Sequence, residues 1–183
     1  DGDVDVVGGH DNGRLAYLKN TGTPSAAAFL RINTGPTSPV SAFDFGTNSE
    51  PALGDLDSDG DLDLLVGDDT QELRFLENTG SATTPAFALR TGAAHPLPNT
   101  FRGSYPLYSL PQPVYSFADL DGDGDLDAVA GGSGRLTYLE NSGTANAPAF
   151  LQPVSPTNPT SGAATASQPA LADLDADGDA DLI

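Results

Sequence analysis

The 183-residue chain contains no cysteine and no methionine, and only 7 of its residues are lysine or arginine. Without cysteine there can be no disulfides, thiolate metal sites or cysteine nucleophiles. A formal net charge of -19 excludes nucleic-acid binding by phosphate neutralisation, because that requires a basic face. A single lysine also argues against an amphipathic membrane-binding helix, and no apolar run reaches the length of about 18 residues that spans a bilayer.

The sequence also lacks the sustained 3.6-residue apolar period that marks amphipathic helices. Glycine and proline together supply 21 and 15 residues, well above ordinary usage but short of a disordered or collagen-like composition. Hydrophobic residues make up only 38% of the chain, yet they are clustered. This composition favours many turns and short strands, and we expect an all-β protein.

The acidic residues are concentrated rather than scattered. Of 22 aspartates, 18 fall in four short runs, at residues 1–5, 55–63, 119–127 and 173–181. Five carboxylates within nine residues repel one another unless something neutralises them. We expect the remaining four aspartates to be ordinary surface or turn residues: Asp11, Asp44, Asp68 and Asp69.

The acidic runs belong to an internal repeat. Its complete copies read PALGDLDSDGDLDLLVG at 51–67, YSFADLDGDGDLDAVAG at 115–131 and PALADLDADGDADLI at 169–183, with DGDVDVVGG at 1–9 as a partial copy. A second block, such as RLTYLENSGT from Arg135, follows at a similar distance, and a phenylalanine stands seven residues past its glycine. Equivalent aspartates are 58, 64 and 54 residues apart. The chain thus holds three periods cut in the same motif at both ends, and we expect it to be a window from a longer repetitive polypeptide.

Each period contains four candidate strands bounded by Gly, Asn and Pro. In the second period they lie at 51–54, 63–67, 73–76 and around Phe87, and Asn-Thr-Gly signals a turn at Asn78. Four short antiparallel strands repeated at about 60 residues predict the blades of a β-propeller or a similar sheet array, with about three blades here. We expect one repeat array over 1–183. Its blade periods fall at approximately 1–48, 49–112 and 113–166, and 167–183 starts a further blade.

The loop at 55–63 has the composition of a calcium site. Aspartates stand at positions 1, 3, 5 and 9, Gly60 at position 6 permits a sharp turn, and the carbonyl of Asp61 at position 7 can complete the shell. An all-oxygen ligand set suits a hard cation, and calcium accepts six to eight such ligands where magnesium prefers water-rich octahedral sites. An EF-hand would need an acidic residue at position 12, but Val66 and Ala130 stand there. The alternative is that these are solvated acidic turns.

Position 7 of each loop is expected to point its side chain outward and to offer only its carbonyl. The aspartates at 1–5 form only half a loop and are expected to bind weakly.

The combination of DLDGDGDLDAVAGG with LTYLENSGTANAPAF resembles the FG-GAP/VCBS repeats of bacterial secreted and surface proteins, and is similar to the calcium-loop blades of the integrin α-subunit propeller.

The resemblance implies a β-propeller with Ca²⁺ in the loop between the first two strands of a blade. It carries over as metal ligands Asp55, Asp57, Asp59, Asp61 (carbonyl) and Asp63; Asp119, Asp121, Asp123, Asp125 and Asp127; and Asp173, Asp175, Asp177, Asp179 and Asp181, with Asp1, Asp3 and Asp5 as the partial set. The Phe-Gly and Gly-Ala-Pro signature itself is not intact, so integrin-like partner choice does not follow.

Three functions fit these observations. The first is a non-catalytic, calcium-binding propeller segment of an extracellular or cell-surface protein that serves adhesion or structural assembly, with other protein subunits or surface glycans as partners. The second is a propeller module of a secreted carbohydrate-active enzyme or glycan-binding protein, using a patch around the long spacer formed by His95, Arg102, Tyr105, Tyr108 and Tyr115. The third is a fibre subunit that pairs head to tail through exposed sheet edges.

No catalytic motif is found in the sequence. It has no Gly-x-Ser-x-Gly elbow, no phosphate loop and no Ser-His-Asp order, and His10 and His95 have no partner motif. We therefore expect the chain not to be an enzyme. We also expect an extracellular or cell-surface location, because calcium is millimolar outside cells and would fill such loops there.

Overall fold

The computed structural model describes residues 2–32, 34–35, 37–69, 73–96, 113–132, 135–144, 147–152, 160 and 168–183. Within these ranges the chain forms thirteen short strands and one 3₁₀ helix, Gly92–Ala94, with no α-helix. The prediction of an all-β fold is confirmed.

The strands form antiparallel sheets in which each strand pairs with the next one along the chain. One complete sheet contains β4 (Glu50–Gly54), β5 (Asp63–Gly67), β6 (Arg74–Asn78) and β7 (Phe87–Arg90). The other contains β8 (Val114–Ala118), β9 (Asp127–Gly132), β10 (Arg135–Asn141) and β11 (Phe150–Leu151). The predicted four-stranded units are present in both, while the predicted blade boundaries stay predictions.

Two smaller sheets lie before and after these. The first contains β1 (Val6–Gly8), β2 (Ala16–Asn20) and β3 (Phe29–Ile32), and the last contains β12 (Leu171–Ala172) and β13 (Asp181–Leu182). In the pairing register, Gly54 at the end of β4 faces Asp63 at the start of β5, and Ala118 of β8 faces Asp127 of β9. Each of the three complete acidic loops therefore joins the first strand of a sheet to the second.

The second strand of each complete sheet is buried on both faces. Every residue of β5 is buried, and so is every residue of β9. Because side chains alternate across a strand, Leu65 and the neighbouring Phe75 pack toward the second complete sheet, while Leu64 and Val66 pack the other way. A strand buried on both faces reads as a continuous apolar run rather than an alternating one, as Leu64-Leu65-Val66 does.

The hydrophobic core accordingly lies between sheets that stack face to face. One cluster joins the two complete sheets and contains Ala52, Leu56, Leu65, Phe75, Tyr115, Ala128, Ala130, Leu139 and Phe150. The other cluster lies between the sheet of β1–β3, with the segment that follows it, and the sheet of β4–β7. It contains Leu15, Val40, Phe45, Leu64, Val66 and Leu76. The first strands also lie side by side, since β4 contacts β8 and β8 contacts β12.

An asparagine closes the same strand of the repeat in three sheets, namely the third strand of each complete sheet and β2 of the first sheet. The Oδ1 atom of Asn78 accepts the backbone N–H groups of Gly80 at 3.1 Å and Ala86 at 2.9 Å. Asn20 and Asn141 make the corresponding bonds, to Gly22 and Ala28 and to Gly143 and Ala149. The glycine is required, because a Cβ on Gly80 would lie 2.3 Å from the carbonyl oxygen of Thr84. The repeated Asn-x-Gly signal therefore encodes a side-chain-braced turn between the third and fourth strands.

Replacing Asn78 by alanine should destabilise the protein by about 1–3 kcal/mol, because two backbone N–H groups beside a buried side chain lose their acceptor. Urea unfolding followed by circular dichroism measures the difference. Asn12→Ala is the matched control: Oδ1 of Asn12 accepts one backbone N–H, that of Arg14, but the bond is exposed and water can replace it, so its loss should change stability by less than about 0.5 kcal/mol. Equal effects of the two substitutions would contradict the bracing role.

Candidate metal centres

The three complete acidic loops share one backbone conformation. Numbered from the first aspartate, position 6 is a glycine with positive φ in each, at 94° for Gly60, 94° for Gly124 and 100° for Gly178. Position 4 is also left-handed, at 55° in Ser58, 80° in Gly122 and 63° in Ala176. Two left-handed residues in one loop curl the chain tightly, which brings alternate side chains to one side.

Hydrogen bonds hold the carboxylates of positions 1 and 5 in the same register in all three loops. The position-1 carboxylate accepts the N–H of the position-6 glycine: Gly60 to Asp55 at 3.1 Å, Gly124 to Asp119 at 3.0 Å and Gly178 to Asp173 at 3.1 Å. The position-5 carboxylate accepts the N–H of position 7 at 2.9 to 3.0 Å, as Asp59 does from Asp61. The loops are therefore built structures, with carboxylates oriented by the backbone.

Each loop brings carboxylate oxygens within 4.8 Å of one another. The groups are Asp55, Asp57 and Asp59; Asp119, Asp121 and Asp127; and Asp173, Asp175 and Asp181. Positions 1 and 3 are common to all three groups, and the third member is position 5 in the first and position 9 in the others. Like charges this close repel one another, and a divalent cation with oxygen ligands would relieve the repulsion.

The position-9 carboxylate lies at the base of the loop and connects it to the sheet. Asp63 is 1% exposed, and its oxygens accept the N–H of Leu56 at 3.1 Å and the N–H of Asn78 at 2.7 Å. Asp127 is equally buried and accepts from Leu120 at 3.1 Å and Asn141 at 2.8 Å. One side chain thus joins the loop, the second strand and the end of the third strand.

Burial shifts the proton equilibria of these carboxyl groups. It raises the pKa of Asp63 to about 7, against the lowering effect of its two backbone hydrogen bonds. Burial is also the largest cause of the raised pKa of Asp57, Asp61, Asp125 and Asp127, and neighbouring loop carboxylates add to it. Burial, aided by a hydrogen bond to Asp5, likewise raises the pKa of the Tyr17 phenol to about 12. Ionising these carboxyl groups in the folded protein therefore costs free energy.

The position-7 side chains differ from one another. Asp179 is exposed as expected, Asp125 is half-buried, and Asp61 is only 8% exposed. The expectation that position 7 points outward is therefore wrong for Asp61, because this loop is covered more than the others. The position-5 residues Asp123 and Asp177 accept the N–H of position 7 and lie outside the carboxylate groups named above.

The partial loop near the start keeps only the lower part of the arrangement. Asp5, at position 9, accepts the N–H of Asn20 at 2.6 Å and the hydroxyl of Tyr17 at 2.5 Å. Asp3 is half-buried, and Asp1 lies outside the described residues. The structural function of the ninth position is thus present in this sheet as well, whereas the ligand role of these three residues remains a prediction.

The expectation that Asp68 is an ordinary surface or turn residue is wrong. Asp68 is completely buried and pairs with Arg74 at 2.9 Å, and the Arg74 guanidinium lies 5.7 Å from the Phe45 ring centroid. Asp69 is exposed and accepts hydrogen bonds from Thr47 and Asn48. The only signal in the sequence is the nearby arginine, whose contact depends on strand pairing.

The predicted aromatic and basic patch is not supported as a single surface. Tyr115 is 5% exposed and belongs to the core between the complete sheets, while Arg102, Tyr105 and Tyr108 lie outside the described residues. His95 contacts the carbonyl oxygen of Leu73 and the edge of Phe75. It lines a cavity of about 250 Å³ that Asp57 and Glu77 also border.

The fold and the loops define a class of protein: a series of antiparallel sheets, two of them with four strands among the described residues, in which an acidic loop joins the first two strands of each complete sheet. Comparison with protein families narrows this class. Residues 119–183 match the model of the FG-GAP-like repeat. The predicted resemblance to FG-GAP repeats is therefore confirmed for this part of the chain, and the matching segment begins at the first aspartate of the 119–127 loop.

No curated protein and no solved structure matched the chain. FG-GAP repeats usually occur in extracellular or surface proteins. Among the described residues, none belongs to a helix of the length and apolarity that a membrane crossing requires.

The calcium-free protein should become less stable as the pH rises from about 5 to 8. The folded state binds a proton at Asp63 more tightly than the unfolded state, so the stability from this group is present at low pH and is lost as pH rises through about 7. Glu77 and Asp69 have lowered pKa values and complete their titration below this window. Melting temperatures in excess chelator test the sign.

Asp63→Asn should flatten this pH dependence, because the group that titrates near neutral pH is gone. Asp44→Asn removes the same charge from an exposed position outside the loops, where the ion-pair partner is Arg14 rather than a histidine, and should leave the slope intact. A melting temperature that stays level or rises between pH 5 and 8 in the unsubstituted protein would show that folding does not raise the pKa of Asp63.

Proposed function

We propose that the chain is a non-catalytic, calcium-binding segment of a β-propeller in an extracellular or cell-surface protein, where it serves adhesion or structural assembly. The observation that supports this most directly is the threefold repetition of one loop, in which the same hydrogen bonds orient carboxylates toward a common centre. Solvated acidic turns have no physical reason to hold their charges together in one register three times.

Calcium is the cation that suits these loops best. The carboxylates of positions 1, 3, 5 and 9 and the carbonyl of position 7 provide oxygen ligands only, and a flexible shell of six to eight oxygens is typical of calcium. Bound calcium would cancel the repulsion within each loop and would fix the connection between the first and second strands. Extracellular calcium modules bind with dissociation constants of about 10⁻⁴ to 10⁻³ M, so such loops fill outside cells.

The propeller part of the proposal rests on how the sheets stack. Successive sheets pack face to face through two apolar clusters, and the first strands of neighbouring sheets lie in contact. The N–H of Leu171 on β12 also donates to Oγ of Ser116 on β8, at 3.0 Å. Radial repetition of four-stranded sheets with inner strands side by side is the arrangement of propeller blades.

A role in adhesion or assembly is supported by apolar side chains exposed on both outer sheets. Phe29 and Leu30 on β3 are 50% and 56% exposed, and Ile183 next to β13 is 63% exposed. Consecutive residues of a strand face opposite sides of the sheet, so β3, the last strand of its sheet, presents an apolar side chain on each face beside an edge where another strand can pair. Other protein subunits, surface glycans or further copies of the chain paired head to tail are the proposed partners.

Calcium should raise the melting temperature of the protein, and excess EDTA should reverse the rise. At 5 mM calcium, each occupied site with extracellular-type affinity should contribute about 1–2 kcal/mol to the free energy of unfolding. Differential scanning calorimetry measures the shift, and magnesium at the same concentration should give a smaller one.

Asp121→Asn removes a charged ligand from one loop and should reduce the calcium-dependent shift by about the contribution of one site. The control Asp44→Asn makes the same charge change at an exposed residue outside the loops, and it should preserve the full shift. Melting temperatures that are the same in calcium and in EDTA would refute calcium binding as the function of the loops.

A further inference from the structure

The sheets differ at one position that contacts the ninth-position carboxylate. Three residues before the asparagine that closes the strand, the residue is Tyr17 in β2, Phe75 in β6 and Tyr138 in β10. These residues are equivalent in the repeat, since each stands two positions after the first residue of the Leu-x-aromatic-Leu segment. The chain therefore contains a natural comparison between tyrosine and phenylalanine beside an otherwise identical loop base.

The tyrosine hydroxyl adds a third bond to the ninth-position carboxylate. Tyr138 donates to Oδ2 of Asp127 at 2.9 Å, the same oxygen that accepts the N–H of Leu120. Tyr17 donates to Asp5 in the same way. Phe75 has no hydroxyl, so Asp63 cannot receive this bond from β6, although it makes the two backbone bonds that Asp127 also makes.

Tyr138 is well suited to fix the carboxylate in one orientation. Its side chain is 2% exposed and sits on β10, directly opposite Val129 of β9. A buried ring in a paired strand has little freedom to move, so its hydroxyl defines where Oδ2 of Asp127 can lie. Hydrogen-bonding partners of this kind set the orientation of metal-ligating carboxylates in general.

In the two complete sheets, the grouping of carboxylates parallels the difference between tyrosine and phenylalanine. In the 119–127 loop, Asp127 lies close enough to Asp119 and Asp121 to share one ion with them. In the 55–63 loop, the corresponding group consists of Asp55, Asp57 and Asp59. Between the two complete sheets, the ninth-position aspartate joins the group where the tyrosine is present, and position 5 supplies the third member where phenylalanine replaces it. Asp181 joins the group of the 173–181 loop, whose described sheet has only two strands, so the comparison is confined to the two complete sheets.

We propose that Tyr138 is a positioning residue that holds Asp127 as a calcium ligand, and that Phe75 leaves the 55–63 loop without this support. The two loops are then inequivalent, and the 119–127 loop binds calcium at lower concentration. This inference rests on the proposed calcium function. It adds the order in which the two loops bind calcium, which is determined by a residue outside the acidic motif.

Site-resolved calcium titration of the whole chain by ¹H–¹⁵N NMR tests the inference. The amides of Gly60 and Gly124 report on separate loops, because each donates to the position-1 carboxylate of its own loop. In the unsubstituted protein the Gly124 signal should reach its midpoint at lower calcium than the Gly60 signal. Tyr138→Phe should raise the Gly124 midpoint about tenfold, the loss typical of a removed partner of a metal ligand, and leave Gly60 unchanged.

The reverse substitution gives an independent readout. Phe75→Tyr supplies a hydroxyl beside Asp63 and should lower the Gly60 midpoint without affecting Gly124, which loss of structure alone could not do. Tyr115→Phe is the matched control, since it removes a buried hydroxyl from β8 of the same sheet as Tyr138. It should leave both midpoints in place.

Three outcomes would overturn the inference. The Gly60 and Gly124 midpoints could coincide in the unsubstituted protein, the Gly124 midpoint could be unaffected by Tyr138→Phe, or Tyr138→Phe could shift both midpoints equally. If neither glycine responds to millimolar calcium in the unsubstituted protein, the proposed function itself fails and the inference is refuted with it. The first three results would leave calcium binding standing.

Discussion

The buried aspartate at the ninth loop position is the interaction on which the rest of the repeat depends. Asp63 and Asp127 each accept one backbone N–H from the loop and one from the end of the third strand. A single carboxylate therefore sets the loop's base and the register of the strands that follow. Burial of its charge has an energetic cost, which the hydrogen bonds and a nearby cation can offset.

This constraint connects the acidic loops to the apolar core. The ninth position begins the second strand, which is buried on both faces because sheets pack against it from either side. Any displacement of the loop base would move the start of that strand against two apolar clusters. A cation that fixes the loop would also fix the start of the second strand between the two apolar clusters. Metal binding would therefore stabilise the packing of the sheets as well as the loop.

Much of the fold could be predicted from the repeat, and the exceptions have physical causes. The strand from 63 to 67 was predicted with its observed bounds, because an apolar run between Asp and Gly leaves little choice. Loop glycines and strand-ending asparagines were recognisable for similar local reasons. The buried positions of Asp68 and Tyr115 were not, because they depend on which sheet faces which, and a local pattern does not contain that information.

The most direct test of the account is a crystal structure of the protein grown in millimolar calcium, with anomalous scattering recorded to identify the ion. We predict one calcium ion in each loop at 55–63, 119–127 and 173–181, bound by the carboxylates of positions 1, 3, 5 and 9 and by the carbonyl of position 7. Loops that contain only water, with their carboxylates turned toward solvent, would contradict it.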